Sequence, residues 1–260
     1  MPFDLHPLYV LSGFAVGFLV GMTGVGGGSL MTPLLILLFQ VHPLTAVGTD
    51  LLYASITKIG GSVVHGFSRN IDWRIVTRLA TGSLPASLLT LLVFYLFKVN
   101  QETLNAVVTR VLGLSLLATA LALIFRKYLL ESYGRRVGAL PEKLTTRFTV
   151  LTGVILGALV TISSVGAGAL GVTALILLYP EVRIVRIAAS DIAHAVPLTL
   201  VAGLGHLVGG GVDVTLLASL LMGSLPGVVI ASWFAPRLPD RALRLILAAI
   251  LTVSGVRLLA

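Results

Sequence analysis

Gly24-Val25-Gly26-Gly27-Gly28-Ser29 interrupts an apolar run that otherwise extends from Leu8 to Phe39. Each interior glycine costs a helix about 1 kcal/mol relative to alanine, so three in succession end it. A weaker copy, Ser164-Val165-Gly166-Ala167-Gly168-Ala169, interrupts a second apolar run over 148–179. The first break leaves two arms of about fifteen residues, a helical rise of about 22 Å. That falls short of the roughly 30 Å hydrocarbon core of a bilayer. Short arms around a glycine turn predict a re-entrant hairpin in each run. The two breaks are expected to face each other at mid-membrane depth as halves of one binding site.

The surrounding composition requires a membrane. The chain is 57% hydrophobic and 11% charged, with a mean hydropathy of +1.04, whereas a soluble domain carries about 25% charged residues. Charge this sparse cannot solvate the surface of a 260-residue globule, and the apolar runs have spanning length. The chain therefore reads as an all-α integral membrane protein. The absence of cysteine excludes disulfides, thiolate metal sites and cysteine nucleophiles. A net charge of +8 is read as basic residues gathered in cytoplasmic loops, with no nucleic-acid partner. The N-terminus lacks a positive n-region, so the first apolar run is expected to be retained.

Beyond the first break, residues 44–66, 73–97 and 104–125 read as spans. Residues 126–147 hold Arg126, Lys127, Arg135, Arg136, Lys143 and Arg147 with Gly134, Gly138 and Pro141, and read as a basic linker. The second half then repeats the first: a broken run over 148–179, then spans 184–208, 214–236 and 240–259. At an offset of 141, Thr49-Asp50 falls on Ser190-Asp191, His65 on His206 and Asp72 on Asp213. Gly82-Ser83-Leu84-Pro85 falls on Gly223-Ser224-Leu225-Pro226, four identities in a row. An internal duplication follows, with repeats at 1–125 and 148–260 joined by the linker 126–147.

Charge selects the topology. If each broken run is a hairpin, each repeat crosses three times and the repeats are inverted. Arg69, Arg74, Arg78, the six linker cations, Arg183, Arg186, Arg237, Arg241 and Arg244 then share one side, fourteen of the eighteen basic residues. If each broken run crosses once, these groups divide between the two sides. The positive-inside rule favours two inverted repeats, each a re-entrant or short helical hairpin plus three transmembrane helices. It puts the linker in the cytoplasm and both termini outside.

Inverted repeats with broken helices are a common plan of secondary transporters. A helix N-terminus carries free N–H groups and about +0.5 charge, which suits an anion. Candidate substrate-binding residues at the breaks are Thr23, Gly24, Gly26, Gly27, Gly28 and Ser29 with Ser163, Ser164, Gly166 and Gly168. The alternative is that the glycines only permit close helix packing. Thr49, Ser190 and Lys58 join the candidates, while Asp50 and Asp191 are the candidate coupling residues. A carboxylate within a span costs about 2.5–3.5 kcal/mol, so each aspartate reads as a proton carrier, a cation ligand, a partner for Lys58 or a protonated cap. Lys58 has no counterpart, since Thr199 stands at the equivalent position. On that asymmetry Asp50 is expected to matter more than Asp191. His65 and His206 read as interfacial, Asp72 and Asp213 as N-caps, and Pro85 and Pro226 as kinks.

Gly17-x-x-x-Gly21-x-x-Gly24-x-Gly26-Gly27-Gly28, Gly48-Thr49-Asp50, His65 and Ile71-Asp72-Trp73-Arg74 resemble the sulfite exporter TauE/SafE family. So does the duplication with its basic linker, over nearly the whole chain. The resemblance implies an inner-membrane permease for small sulfur-containing anions such as sulfite, sulfonates or sulfoacetate. No cofactor, metal site or catalytic residue is expected; the partners are the anion and the bilayer, with room for a homodimer. Two other classes compete. A passive anion channel would share the architecture. An intramembrane enzyme fits less well: Ser29 is followed by Leu30 and Ser164 by Val165, which breaks the Gly-x-Ser-Gly pattern of a rhomboid-like protease. A lipid-phosphate enzyme would want clustered Glu and Arg deep in the spans.

Overall fold

The computed structural model describes residues 6–23, 28–67, 70–96, 100–133, 141–234 and 240–260. Among these residues the chain is wholly helical: α1 Pro7–Thr23, α2 Gly28–Leu37, α3 Pro43–Phe67, α4 Trp73–Leu96, α5 Gln101–Tyr133, α6 Glu142–Ser163, α7 Ala169–Leu178, α8 Ile184–Val208, α9 Val214–Phe234 and α10 Asp240–Leu259. Five helices among the described residues, within α4, α5, α6, α8 and α9, are long and apolar enough to cross a membrane. The 141-residue offset recurs in the element starts. Residues 28, 43 and 73 open α2, α3 and α4, and residues 169, 184 and 214, each 141 later, open α7, α8 and α9.

The arms at the breaks are unequal, where about fifteen residues were expected on each side of the first. The incoming helices have 17 and 22 residues, and the returning helices α2 and α7 have 10 each. Both returning helices fold back on their predecessors. Thr149 of α6 is hydrogen-bonded at 2.8 Å to Tyr179, just beyond α7. Tyr9 of α1 stacks edge-on against Phe39, just beyond α2, with ring centroids 4.8 Å apart. The turn between α6 and α7 needs left-handed backbone: φ is 58° at Ser164, 131° at Gly166 and 122° at Gly168. The last two values are open to glycine and strained for residues with a β-carbon. Non-helical backbone away from water requires burial within protein, and Ser163 to Gly166 are buried.

The halves interlock. α1 packs chiefly on α9, its equivalent α6 on α4, α3 on α8 and α5 on α10. Glycines make these contacts close. A β-carbon at Gly82 would overlap the Val150 carbonyl of α6, and one at Gly223 the Val10 carbonyl of α1. That explains the glycine of the duplicated Gly-Ser-Leu-Pro motif as a contact of small residues between helices. Register gives direction. Gly13, Gly17 and Gly21 meet Leu220, Ser224 and Val228 in turn, so α1 runs with α9. Gly48 meets His206 while Gly203 meets Leu52, so α3 runs against α8. Gly113 meets Leu259 and Gly255 meets Leu117, so α5 runs against α10. α4 and α9 continue through Pro85 and Pro226.

One end of the molecule collects the starts of α4, α6 and α8. Arg78 pairs with Glu142 at 2.9 Å, and Arg186 with Asp72 at 3.5 Å. Asp213 bonds the Leu216 N–H at 2.9 Å and Asp72 the Arg74 N–H at 3.1 Å, so both begin helices as expected.

Candidate functional site

Asp50 and Asp191 are fully buried. The carboxylate of Asp50, on α3, accepts a hydrogen bond from the Thr32 hydroxyl of α2 through Oδ2, while Oδ1 has no partner. Ser164, at the second break, lies beside Asp50, and its buried hydroxyl makes no hydrogen bond of its own. Asp191, on α8, lies against the start of α7. Its Oδ1 occupies the space that a β-carbon on Gly171 would fill. The Gly168 N–H is close to this carboxylate, but neither oxygen reaches hydrogen-bond geometry. Position 171 corresponds to Leu30 in the first repeat, so the two aspartates are held differently. One is fixed by a hydroxyl, and the other rests on a bare helix end.

Lys58 is partly buried and within electrostatic reach of both aspartates, with Asp191 the stronger of the two. Its position on α3 explains this. The contacts of Gly48 with His206 and Leu52 with Gly203 put residues near 57 and 198 at the middle of the antiparallel α3/α8 pair. Lys58 therefore stands near the centre of the pair, serving both repeats.

Thr49 and Ser190 have other partners than the break. The Thr49 hydroxyl accepts the Asp213 N–H at 3.1 Å, and the Ser190 hydroxyl accepts the Asp72 N–H at 2.8 Å. Each ties the start of a helix in the opposite repeat. Ser163 turns back on its own helix, donating to the Leu159 carbonyl at 2.8 Å, and takes the Val165 N–H at 3.3 Å. Ser29 is buried in the first turn of α2. Gly24, Gly26 and Gly27 lie outside the described residues, as do the side chains of Thr23 and His65 and the burial of Gly28. Around the second break, Val165 shares one apolar cluster with Leu30 and Met31 of α2, so the second break and the first returning helix meet.

His194 was not singled out in the sequence. It is fully buried, three residues beyond Asp191, and Nε2 lies 2.7 Å from the Ser83 hydroxyl. Its equivalent is Tyr53, which donates to the Ser224 hydroxyl at 2.6 Å. The duplicated motif serine thus receives an aromatic polar group from the other repeat on both sides. Comparison of identities alone hides this, because histidine and tyrosine differ. The signal was two polar aromatic residues at equivalent positions inside spans. His206, expected at an interface, is buried and bonded to the Thr161 carbonyl at 2.9 Å. Among the described residues no cluster of His, Asp and Glu could hold a metal ion.

The sequence profile of the family described as "Sulfite exporter TauE/SafE" matches residues 9–258. The "Probable membrane transporter protein YjnA" of Bacillus subtilis is 39% identical over 251 residues, 96% of this chain and 98% of that protein. The "Probable membrane transporter protein MJ0441" of Methanocaldococcus jannaschii is 27% identical over 98% of this chain and 96% of its own length. A second Bacillus subtilis protein, "Probable membrane transporter protein YdhB", is 25% identical over 97% of this chain and 99% of its own length. No solved structure matches the chain.

Proposed function

The chain belongs to the sulfite exporter TauE/SafE family, and from that membership we propose that it is a secondary transporter of small sulfur-containing anions. Sulfite, sulfonates and sulfoacetate are the substrate class, moved across the inner membrane in company with a coupling ion. The observation that carries this reading is the cluster of buried Asp50, Asp191 and Ser164 with partly buried Lys58 at the fold-back of α6 and α7. Ionisable groups are costly at such depth and are commonly placed on substrate or ion pathways.

The repeats are proposed to be inverted about an axis in the membrane plane. Three facts support this. Equivalent helices α3 and α8 run antiparallel, as do α5 and α10. Both broken runs fold back on themselves. The starts of α4, α6 and α8 gather at one end through Arg78–Glu142 and Asp72–Arg186. A single crossing of each broken run would make α3 and α8 parallel. On this reading 1–125 and 148–260 are the repeats, and the segment 126–147 is cytoplasmic with both termini outside. The lipid bilayer and the anion are the proposed partners, with a homodimer compatible and no nucleic acid.

Purified protein in liposomes should take up labelled sulfite or a sulfonate saturably and in dependence on an ion gradient. Equal flux through protein-free liposomes would refute the assignment.

A further inference from the structure

We propose that Asp191 is the protein's own stand-in for the substrate, and that one proton accompanies each monovalent anion. This rests on the transport reading above and specifies its coupling. The start of α7 offers what an anion needs: the Gly168 N–H at the helix end and Lys58 within electrostatic reach, while the unpartnered Ser164 hydroxyl, 6% exposed, stands beside Asp50. That place is already taken by a carboxylate. Asp191 is fully buried with both oxygens lacking hydrogen bonds, and Gly171 leaves the space it occupies. A substrate anion and an ionised Asp191 cannot share one helix end and one ammonium group, because like charges at close range in a low dielectric repel strongly.

Charge counting fixes the proportion. Among the described residues the group holds two buried carboxylates and one partly buried ammonium. Tyr53 faces Asp50 and is hydrogen-bonded to Ser224. His194 neighbours Asp191 along α8 and is hydrogen-bonded to Ser83; the side chain of His65 lies outside the described residues. A buried net charge is unfavourable, so one proton is held in the resting state. Asp50 Oδ1 and the Ser164 hydroxyl, adjacent and both unpartnered, are the place for it, since O–H donation from Oδ1 to Ser164 satisfies both atoms. Lys58 then balances Asp191. When a monoanion arrives, Asp191 takes a second proton, and Lys58 balances the anion instead. A dianion would leave one negative charge in excess. Proton and monoanion therefore move together, one to one, without net charge transfer.

The test uses methanesulfonate, which keeps a single negative charge across the working pH range. In proteoliposomes of the full chain, a one-unit pH gradient, acid outside, should concentrate it about tenfold, since one pH unit is a tenfold difference in proton activity. Clamping the membrane potential at different values should leave that ratio unchanged, and a trapped pH dye should report one proton per anion. By the same count Asp191→Asn leaves Asp50 and Lys58 in balance, and Asp50 takes the proton that the anion brings; Asp50→Asn combined with Asp191→Asn should lose the tenfold accumulation, and methanesulfonate should then follow the membrane potential. Asp50→Asn combined with Asp191→Glu should restore part of the accumulation. Wild-type accumulation that follows the membrane potential or a sodium gradient would overturn the proposal. Full accumulation by the double variant would do the same, and the wild-type ratio decides independently if that variant fails to fold. Absence of flux for methanesulfonate, sulfite and sulfoacetate alike would instead overturn the transport reading itself, and the coupling with it.

Discussion

Ser83 and Ser224 sit at equivalent positions and meet His194 and Tyr53 from the opposite repeat. Removing one hydroxyl leaves a buried polar partner unsatisfied, which costs about 1–3 kcal/mol in a protein interior; hydrogen bonds between membrane helices average nearer 0.6 kcal/mol. Ser83→Ala and Ser224→Ala should each lower stability by about 1 kcal/mol, read as thermal unfolding in detergent. Unchanged midpoints in both would mean that water replaces the lost hydroxyls. The break itself makes a sharper case. Gly168 has φ of 122°, so Gly168→Ala is strained by about 1–3 kcal/mol and should weaken anion uptake more than Ala167→Val, which alters a position that already carries a side chain. Gly27→Val should abolish uptake while leaving membrane insertion intact. Uptake in the Gly168→Ala protein equal to wild type would free the turn from any role in binding. Asp50, Asp191 and Lys58 were legible in the sequence because charge is scarce in apolar runs. His194 was not, because its partner lies 111 residues away and a histidine within a span has no periodic signature.

Helices and their caps were read more completely than their partners. The breaks, the repeat offset and the N-cap roles of Asp72 and Asp213 follow from local sequence. The pairing of α1 with α9 and of α4 with α6 does not, since small-residue faces show that a helix packs closely without saying on what. Arm length was misjudged for a related reason. Glycine marks where a helix stops, but the length of the returning arm depends on where its neighbours end. The close α4/α6 and α1/α9 contacts predict that Gly82→Val and Gly223→Val both disrupt assembly, because the obstructing atoms are backbone carbonyls that cannot turn aside. Folded yield from membranes, measured by size-exclusion chromatography in detergent, should fall severely for both. A monodisperse Gly82→Val protein at wild-type yield would contradict the register given for α4 and α6.

At the scale of the whole molecule, inversion and orientation are separate matters. The packing directions bear on the first, and the division of basic residues bears on the second. A cysteine introduced at Ser132, at the end of α5, should react with impermeant thiol reagents only from the cytoplasmic side; the native chain has no cysteine to interfere. Reaction from outside alone would reverse the orientation. The central claim is that this molecule alternates a buried anion site between two sides, as inverted repeats allow. It is tested most directly by trans-acceleration in proteoliposomes. Unlabelled methanesulfonate or sulfite loaded inside should speed the entry of the same labelled anion from outside several-fold, because the loaded carrier returns faster than the empty one. Entry that rises linearly with concentration and ignores the internal anion would show an open pore, and would contradict the carrier.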